Sequence, residues 1–161
     1  VLTSAKGRRV DSAAMTGALS EACSELARQM AADAEGGTKV VTVRVTGARS
    51  DDEALRAARK VANSNLVKCS FYGEDPYWGR VVSELGSAGV DFQIDQVSVA
   101  YGGVTVCHGG TAVAHEGGAV RRHLAGRDVE VHSELGLGEG SAKVMTTDLS
   151  HGYIDENMRM S

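Results

Sequence analysis

Val97-Ser98-Val99-Ala100-Tyr101-Gly102-Gly103-Val104-Thr105-Val106 reads as two strands joined by a glycine turn. Val97, Val99 and Tyr101 alternate with Ser98 and Ala100, the period of two that sends successive side chains to opposite faces of a strand. Gly102-Gly103 reverses the chain, because a two-residue hairpin turn needs positive φ at its centre and glycine takes it without a Cβ penalty. A hairpin makes neighbouring strands antiparallel, whereas a doubly wound parallel sheet is built from crossovers alone. The fold class expected is therefore α+β, a mixed or antiparallel sheet with packed helices.

Upstream the period is helical. Met15, Leu19, Ala22, Leu26 and Met30 recur every three or four residues between Ser12 and Ala34, with Ala18, Cys23 and Ala27 widening the stripe, so an amphipathic helix is expected there. Asp11 or Ser12 supplies its N-cap and Gly36-Gly37 its stop. Val41, Val43 and Val45 then alternate with Thr42, Arg44 and Thr46 as a strand. Ser50-Asp51-Asp52-Glu53 has capping-box spacing and opens a helix through about Ala62, with Leu55, Ala58, Val61 and Ala62 inward. Leu66 to Phe71 reads as a short strand. Asp75-Pro76 opens a further helix, Asp75 as cap and Pro76 at the first position, where its missing N–H costs nothing. Trp78, Val81, Val82 and Leu85 form the buried face of that helix, and Gly86 ends it. Beyond the hairpin, a short helix from about Glu116 to Leu124 and strands near Val129 to Leu135 and Ala142 to Leu149 complete the order.

The 161 residues suit one ordinary domain, and 42% hydrophobic with 24% charged residues excludes a disordered or fibrous chain. A net charge of -4 without a dense Lys/Arg block gives no large phosphate footprint, so nucleic acid is not an expected partner. No apolar run approaches the roughly 18 residues of a membrane span, and VLTSAKGRR lacks the apolar core of a signal peptide, so no membrane partner and a cytoplasmic location are expected. Cys23, Cys69 and Cys107 are odd in number and lack C-x-x-C spacing, and they read as buried small hydrophobes. Val1 in place of Met points to a processed or excised piece.

Gly136-Leu137-Gly138-Glu139-Gly140 lacks the spacing of a dinucleotide loop and leads into a strand, so it reads as a turn. His115-Glu116 begins like H-E-x-x-H, yet Ala119 stands at the second ligand position, and His108, His123, His132 and His151 have no ligand spacing, so zinc is not expected. Gly73-Glu74-Asp75-Pro76-Tyr77-Trp78-Gly79-Arg80 joins two acids, the only Trp and an Arg. Capping by Asp75, core packing by Trp78 and pairing of Arg80 with an acid explain most of it. Glu35, flanked by Gly36, Gly37 and Lys39, is placed either to hold an ammonium by a charge-assisted hydrogen bond or to sit in water as a loop acid. The tail from Tyr153 is polar enough to fray.

Glu35-Gly36-Gly37-Thr38-Lys39 followed by VVTVRVTGAR, then VANSNLVK, GEDPYWGR and DLSHGYIDEN, resembles the C-terminal part of the β chain of the ornithine acetyltransferase family, also called glutamate N-acetyltransferase (ArgJ). The landmarks come in order over nearly the whole chain. The resemblance implies the C-terminal part of an N-terminal-nucleophile-like (DmpA/ArgJ-like) fold. Residues 1–38 would end the nucleophile domain with the helix and loop that carry Glu35, and residues 39–161 would form the C-terminal α+β domain. It implies transfer of acetyl from N-acetylornithine to glutamate in arginine biosynthesis, with acetyl-CoA also used by some members. The acetyl group would ride on a threonine freed by self-cleavage upstream of Val1, so no catalytic residue is expected in this chain.

No metal or organic cofactor is implied. The implied partners are an α chain and the N-terminal part of the β chain in an α2β2 heterotetramer. By position, Glu35 would bind the substrate amino group, Asn157 would be a substrate-binding asparagine, and Ser161 would add the terminal hydroxyl, which requires an ordered tail. Tyr77 stands where the family usually has Asn, and the spacing from Asn157 to Ser161 is one residue short. An aminopeptidase-like hydrolase, with water in place of glutamate, and a non-catalytic small-molecule-binding domain stay open as alternatives.

Overall fold

The computed structural model describes residues 11–159. In chain order these form α1 (Ser12–Ala32), β1 (Val40–Ala48), α2 (Asp51–Ala62), α3 (Asn65–Tyr72), α4 (Trp78–Gly86), a 3-10 turn (Ile94–Gln96), β2 (Ser98–Tyr101), β3 (Val104–His108), β4 (Thr111–Ala112), α5 (Gly117–Ala125), β5 (Asp128–Glu134), β6 (Gly140–Thr147) and α6 (His151–Arg159). A six-stranded sheet runs β4-β3-β2-β5-β1-β6. The β1–β5 pair is parallel and the other neighbours are antiparallel, so the sheet is mixed. The expected hairpin joins β2 to β3, with Gly102 and Gly103 at φ 55° and 80°, the paired positive values this turn demands.

Alternation along the strands sorts the two faces. Val41, Val43 and Val45 of β1 are in register with Val129, Val131 and Ser133 of β5, all buried, whereas Thr42, Arg44 and Thr46 are paired with Glu130, His132 and Glu134 on the other face. α2 covers the valines with Ala54, Ala57, Ala58, Val61 and Ala62, mostly small residues that admit close approach, and Leu55 sits half-buried at the margin. Val81 and Leu85 of α4 and Val120 and Leu124 of α5 enter the same core. The Tyr101 hydroxyl is buried with no partner among the described residues, and burial raises its pKa above the ordinary tyrosine value.

Residues 66–71 are helical where the sequence predicts a strand. Ser64 caps α3 by accepting from the Val67 N–H, and Val67, Ser70 and Phe71 face inward at helical spacing. Ser70 masks that stripe because it is polar; its buried hydroxyl donates to the Val67 carbonyl at 2.7 Å. α4 begins at Trp78, two residues later than predicted and without a side-chain cap from Asp75. Glu74 takes φ 54°, and the N–H groups of Tyr77 and Trp78 bond the carbonyls of Asp75 and Pro76 in tight turns that delay the helix. Trp78 is only partly buried against the core. Arg80 pairs with no acid among the described residues; it donates to the Leu66 carbonyl at 2.8 Å and lies over the Tyr77 ring at 4.8 Å. The capping box at Ser50 closes on one side, since the Glu53 N–H donates to Ser50 Oγ while the Glu53 carboxylate accepts from the Arg49 N–H. Cys107 is buried as expected, but Cys23 and Cys69 are exposed on helix surfaces.

α1 has the expected length and its Asp11 cap, which accepts from the Ala13 N–H at 3.0 Å. None of its residues is buried. Leu19, Leu26 and Met30 are 44%, 58% and 76% exposed, so most of the predicted stripe stands open among the described residues, with Met15 half-buried.

Candidate functional site

The chain leaves α1, turns through Glu35-Gly36-Gly37 and enters β1, and of the three residues that follow β6 the first and third, Asp148 and Ser150, hold that turn while Leu149 bonds α3. Asp148 is buried, and its carboxylate accepts from the Thr38 N–H (2.8 Å), the Thr38 hydroxyl (2.6 Å) and the Lys39 N–H (3.0 Å). Burial alone would push the Asp148 carboxyl up, but donation by Thr38, Lys39 and the Thr147 hydroxyl outweighs it and holds the group below the ordinary aspartate value. The Leu149 N–H donates to the Lys68 carbonyl of α3 at 3.3 Å. The Ser150 hydroxyl donates to the Gly36 carbonyl and accepts from the Tyr153 N–H, so one side chain pins the turn and opens α6. Gly36 is at φ 65° and packs so closely on α6 that a Cβ would overlap the Gly152-Tyr153 backbone.

Lys39 turns away from Glu35. Its buried ammonium donates to the carbonyls of Leu124 (2.7 Å) and Gly126 (3.3 Å) and pairs with Glu74 (3.2 Å). It thus satisfies open carbonyls at the end of α5, where the helix dipole is negative, and ties the Gly73–Arg80 loop to β1.

Glu35 and Asn157, 122 residues apart, meet across this junction: Asn157 Nδ2 donates to Glu35 Oε2 at 3.4 Å and to the Tyr153 carbonyl at 2.8 Å. Both side chains are exposed. Glu35 borders a cleft of about 450 Å³ shared with Ala34, Asn65, Lys68, Tyr153 and Ile154, and with Asp148 at the connector. Two of the three predicted substrate-binding residues are therefore together, and Ser161 lies outside the described residues. The tail is helical from His151 to Arg159, where its polarity alone would have it fray, and its last two residues lie outside the described ones. Asn65 and Lys68 are new to the site. Ser64 as an N-cap was the signal that could have placed them one turn apart on a helix face.

A larger hollow of about 530 Å³ lies on the polar face of the sheet, where Arg44 sits opposite both Lys143 and His132. None of the predicted site residues lines it. The histidines have local partners: His108 with Ser98, His115 with the Val113 carbonyl, His123 with the Glu130 backbone, His132 with Thr46 at 2.7 Å, and His151 edge-on to Tyr72. Burial, helped by Arg44, lowers the His132 pKa from its ordinary value.

The ArgJ family model matches residues 1–160. The chain is 43% identical over 139 residues to the arginine biosynthesis bifunctional protein ArgJ of Mycobacterium bovis, an alignment covering 86% of this chain and 34% of that protein. It is 43% identical over 157 residues to the protein of the same name from Thermobifida fusca, covering 98% and 40%. The crystal structure of arginine biosynthesis bifunctional protein ArgJ from Bacillus halodurans superposes with a TM-score of 0.90 at 30% identity, covering 96% of this chain and 76% of that one. The chain thus spans between 34% and 40% of the length of these curated relatives. With a family match along nearly its whole length and the same fold at that level of superposition, the chain belongs to the ArgJ family.

Proposed function

We propose that this chain is the C-terminal part of the β chain of an enzyme that moves acetyl from N-acetylornithine to glutamate, and that its own task is to shape the amino-acid pocket. The observation that carries the reading is the Asn157–Glu35 hydrogen bond at a cleft of amino-acid size. Asn157 occupies one Glu35 oxygen and orients the carboxylate, leaving the other oxygen to accept from the substrate ammonium. The family resemblance gives Ser161 as the third substrate-binding residue. The arginine-biosynthesis name of the relatives supports the pathway.

The nucleophile is the threonine freed upstream of Val1. Its hydroxyl attacks the acetyl carbonyl and passes its proton to its own α-amine, which returns a proton to the departing ornithine amine; the amine of glutamate then attacks the acetyl ester, the threonine O–acyl bond breaks, and the α-amine relays the proton lost by glutamate's nitrogen to the threonine oxygen. Oxyanion donors come from the α chain. Only protons and an acetyl group move, and no metal or organic cofactor enters the sequence of steps. The bare apolar stripe of α1 supports assembly with the polypeptide that precedes this piece, in an α2β2 heterotetramer of the cytoplasm. In that assembly residues 1–38 close the nucleophile domain and residues 39–161 form the C-terminal domain.

The test uses the self-cleaved, assembled enzyme. N-acetylornithine and glutamate should yield ornithine and N-acetylglutamate; acetate as the only acyl product would make the enzyme a hydrolase. Glu35→Gln keeps the shape and removes the charge, and kcat/KM should fall at least about tenfold with an unchanged melting temperature. Normal kinetics in that variant, or parallel loss of stability and activity, would remove Glu35 from the pocket.

A further inference from the structure

We propose that Lys68 binds the substrate carboxylate in the cleft that Glu35 borders, an assignment that rests on the transferase reading above. The charged residues lining that cleft are Glu35, Lys68 and Asp148. Asp148 is taken up by the donors of Thr38, Lys39 and Thr147. That leaves one anion and one cation facing the space. The Lys68 ammonium has no hydrogen bond or ion pair among the described residues, in contrast to Lys39, whose ammonium bonds two carbonyls and Glu74.

The backbone at Lys68 is nonetheless fixed, since its carbonyl accepts from Leu149, the residue between the two that hold the Glu35 turn. One connector therefore sets both walls of the cleft. N-acetylornithine carries a free ammonium at one end and, beside the acetamide, a carboxylate at the other. Glu35 suits the first and Lys68 the second, each as a charge-assisted contact.

The experiment compares N-acetylornithine with N-acetylputrescine, which keeps the acetamide and the terminal ammonium but lacks the carboxylate. In the assembled enzyme, Lys68→Met should lower kcat/KM for N-acetylornithine at least about tenfold and change that for N-acetylputrescine by less than about twofold. The preference for the carboxylated substrate should then collapse, and Lys68→Arg should keep most of it. Equal loss on both substrates, or no loss on either, would overturn the assignment while leaving the transferase reading in place. So would a wild-type enzyme that uses both substrates equally well. A folded wild-type enzyme that takes acetyl from neither would remove both readings together. If Lys68→Met does not assemble, Lys68→Gln against Lys68→Arg decides the same question: lost preference in Gln with retained preference in Arg supports the assignment, and the same preference in both overturns it.

Discussion

Helix α2 buries five of its twelve residues, whereas α1, with twenty-one, buries none. Both carry an apolar stripe at helical spacing, and α2 lays its stripe on β1 and β6 while α1 presents Leu19, Leu26 and Met30 to the outside. The fixings differ in kind. α2 is held by apolar area. α1 is held through its C-terminal end by polar bonds: Arg127 to the Ala32 carbonyl at 2.6 Å, Ser150 to Gly36, and Asp148 to Thr38 and Lys39. A helical period reports which face needs cover; it does not report whether the cover is in the same piece of chain.

Placing the same acid in both stripes tests that difference most severely. Val61→Glu puts a carboxylate into the sealed side of α2 and should cost about 3 kcal/mol or more in denaturant unfolding of this polypeptide. A cost like that of an ordinary surface change would mean that α2 is not held by burial.

An intermediate effect belongs to the polar fixing. Asp148→Asn removes the charge from a carboxylate that several donors share and should cost about 1.5 to 3 kcal/mol at neutral pH. The folded-state pKa of Asp148 is below its unfolded value, so its contribution is complete above about pH 3.9 and is lost as the pH falls through that value toward the lower folded one. Wild type and Asp148→Asn should therefore converge in stability as acid is added; stability curves that stay parallel throughout would show that the charge is not what holds the turn. The smallest effect is expected on the bare stripe, where Leu26→Glu should stay within about 0.5 kcal/mol in this polypeptide. The same change should impair the assembled enzyme, and if it does not, the stripe is no interface.

Much of the sheet was legible, because strands with one buried face write an alternating code, as in Val41, Val43 and Val45, and because Gly102-Gly103 has few uses other than a tight turn. The failures come where one polar residue sits inside a buried stripe or where a backbone conformation replaces a side-chain cap. Ser70 made α3 resemble a strand, and the positive φ at Glu74 shifted the start of α4 away from the Asp75-Pro76 signal. The meeting of Glu35 with Asn157 has no local trace at all; only the ordered motifs of a family point to it. Lys68 had such a trace in the Ser64 cap, but on a strand its side chain would have had no reason to face Glu35.

The sheet order also dictates when this fold can close. Among the described strands β1 is made first, yet its neighbours are β5 and β6, with Val40 paired to Asp128 on one side and to Thr147 on the other. As the chain emerges from the ribosome, the valines of β1 must wait with both edges unpaired until β5 and β6 appear, and the β2–β3 hairpin forms earlier because its partners are adjacent. Nascent chains halted before β6 should therefore expose a long apolar strand and depend on chaperones, and the period of greatest aggregation risk ends only when β6, through Thr147, has emerged and paired.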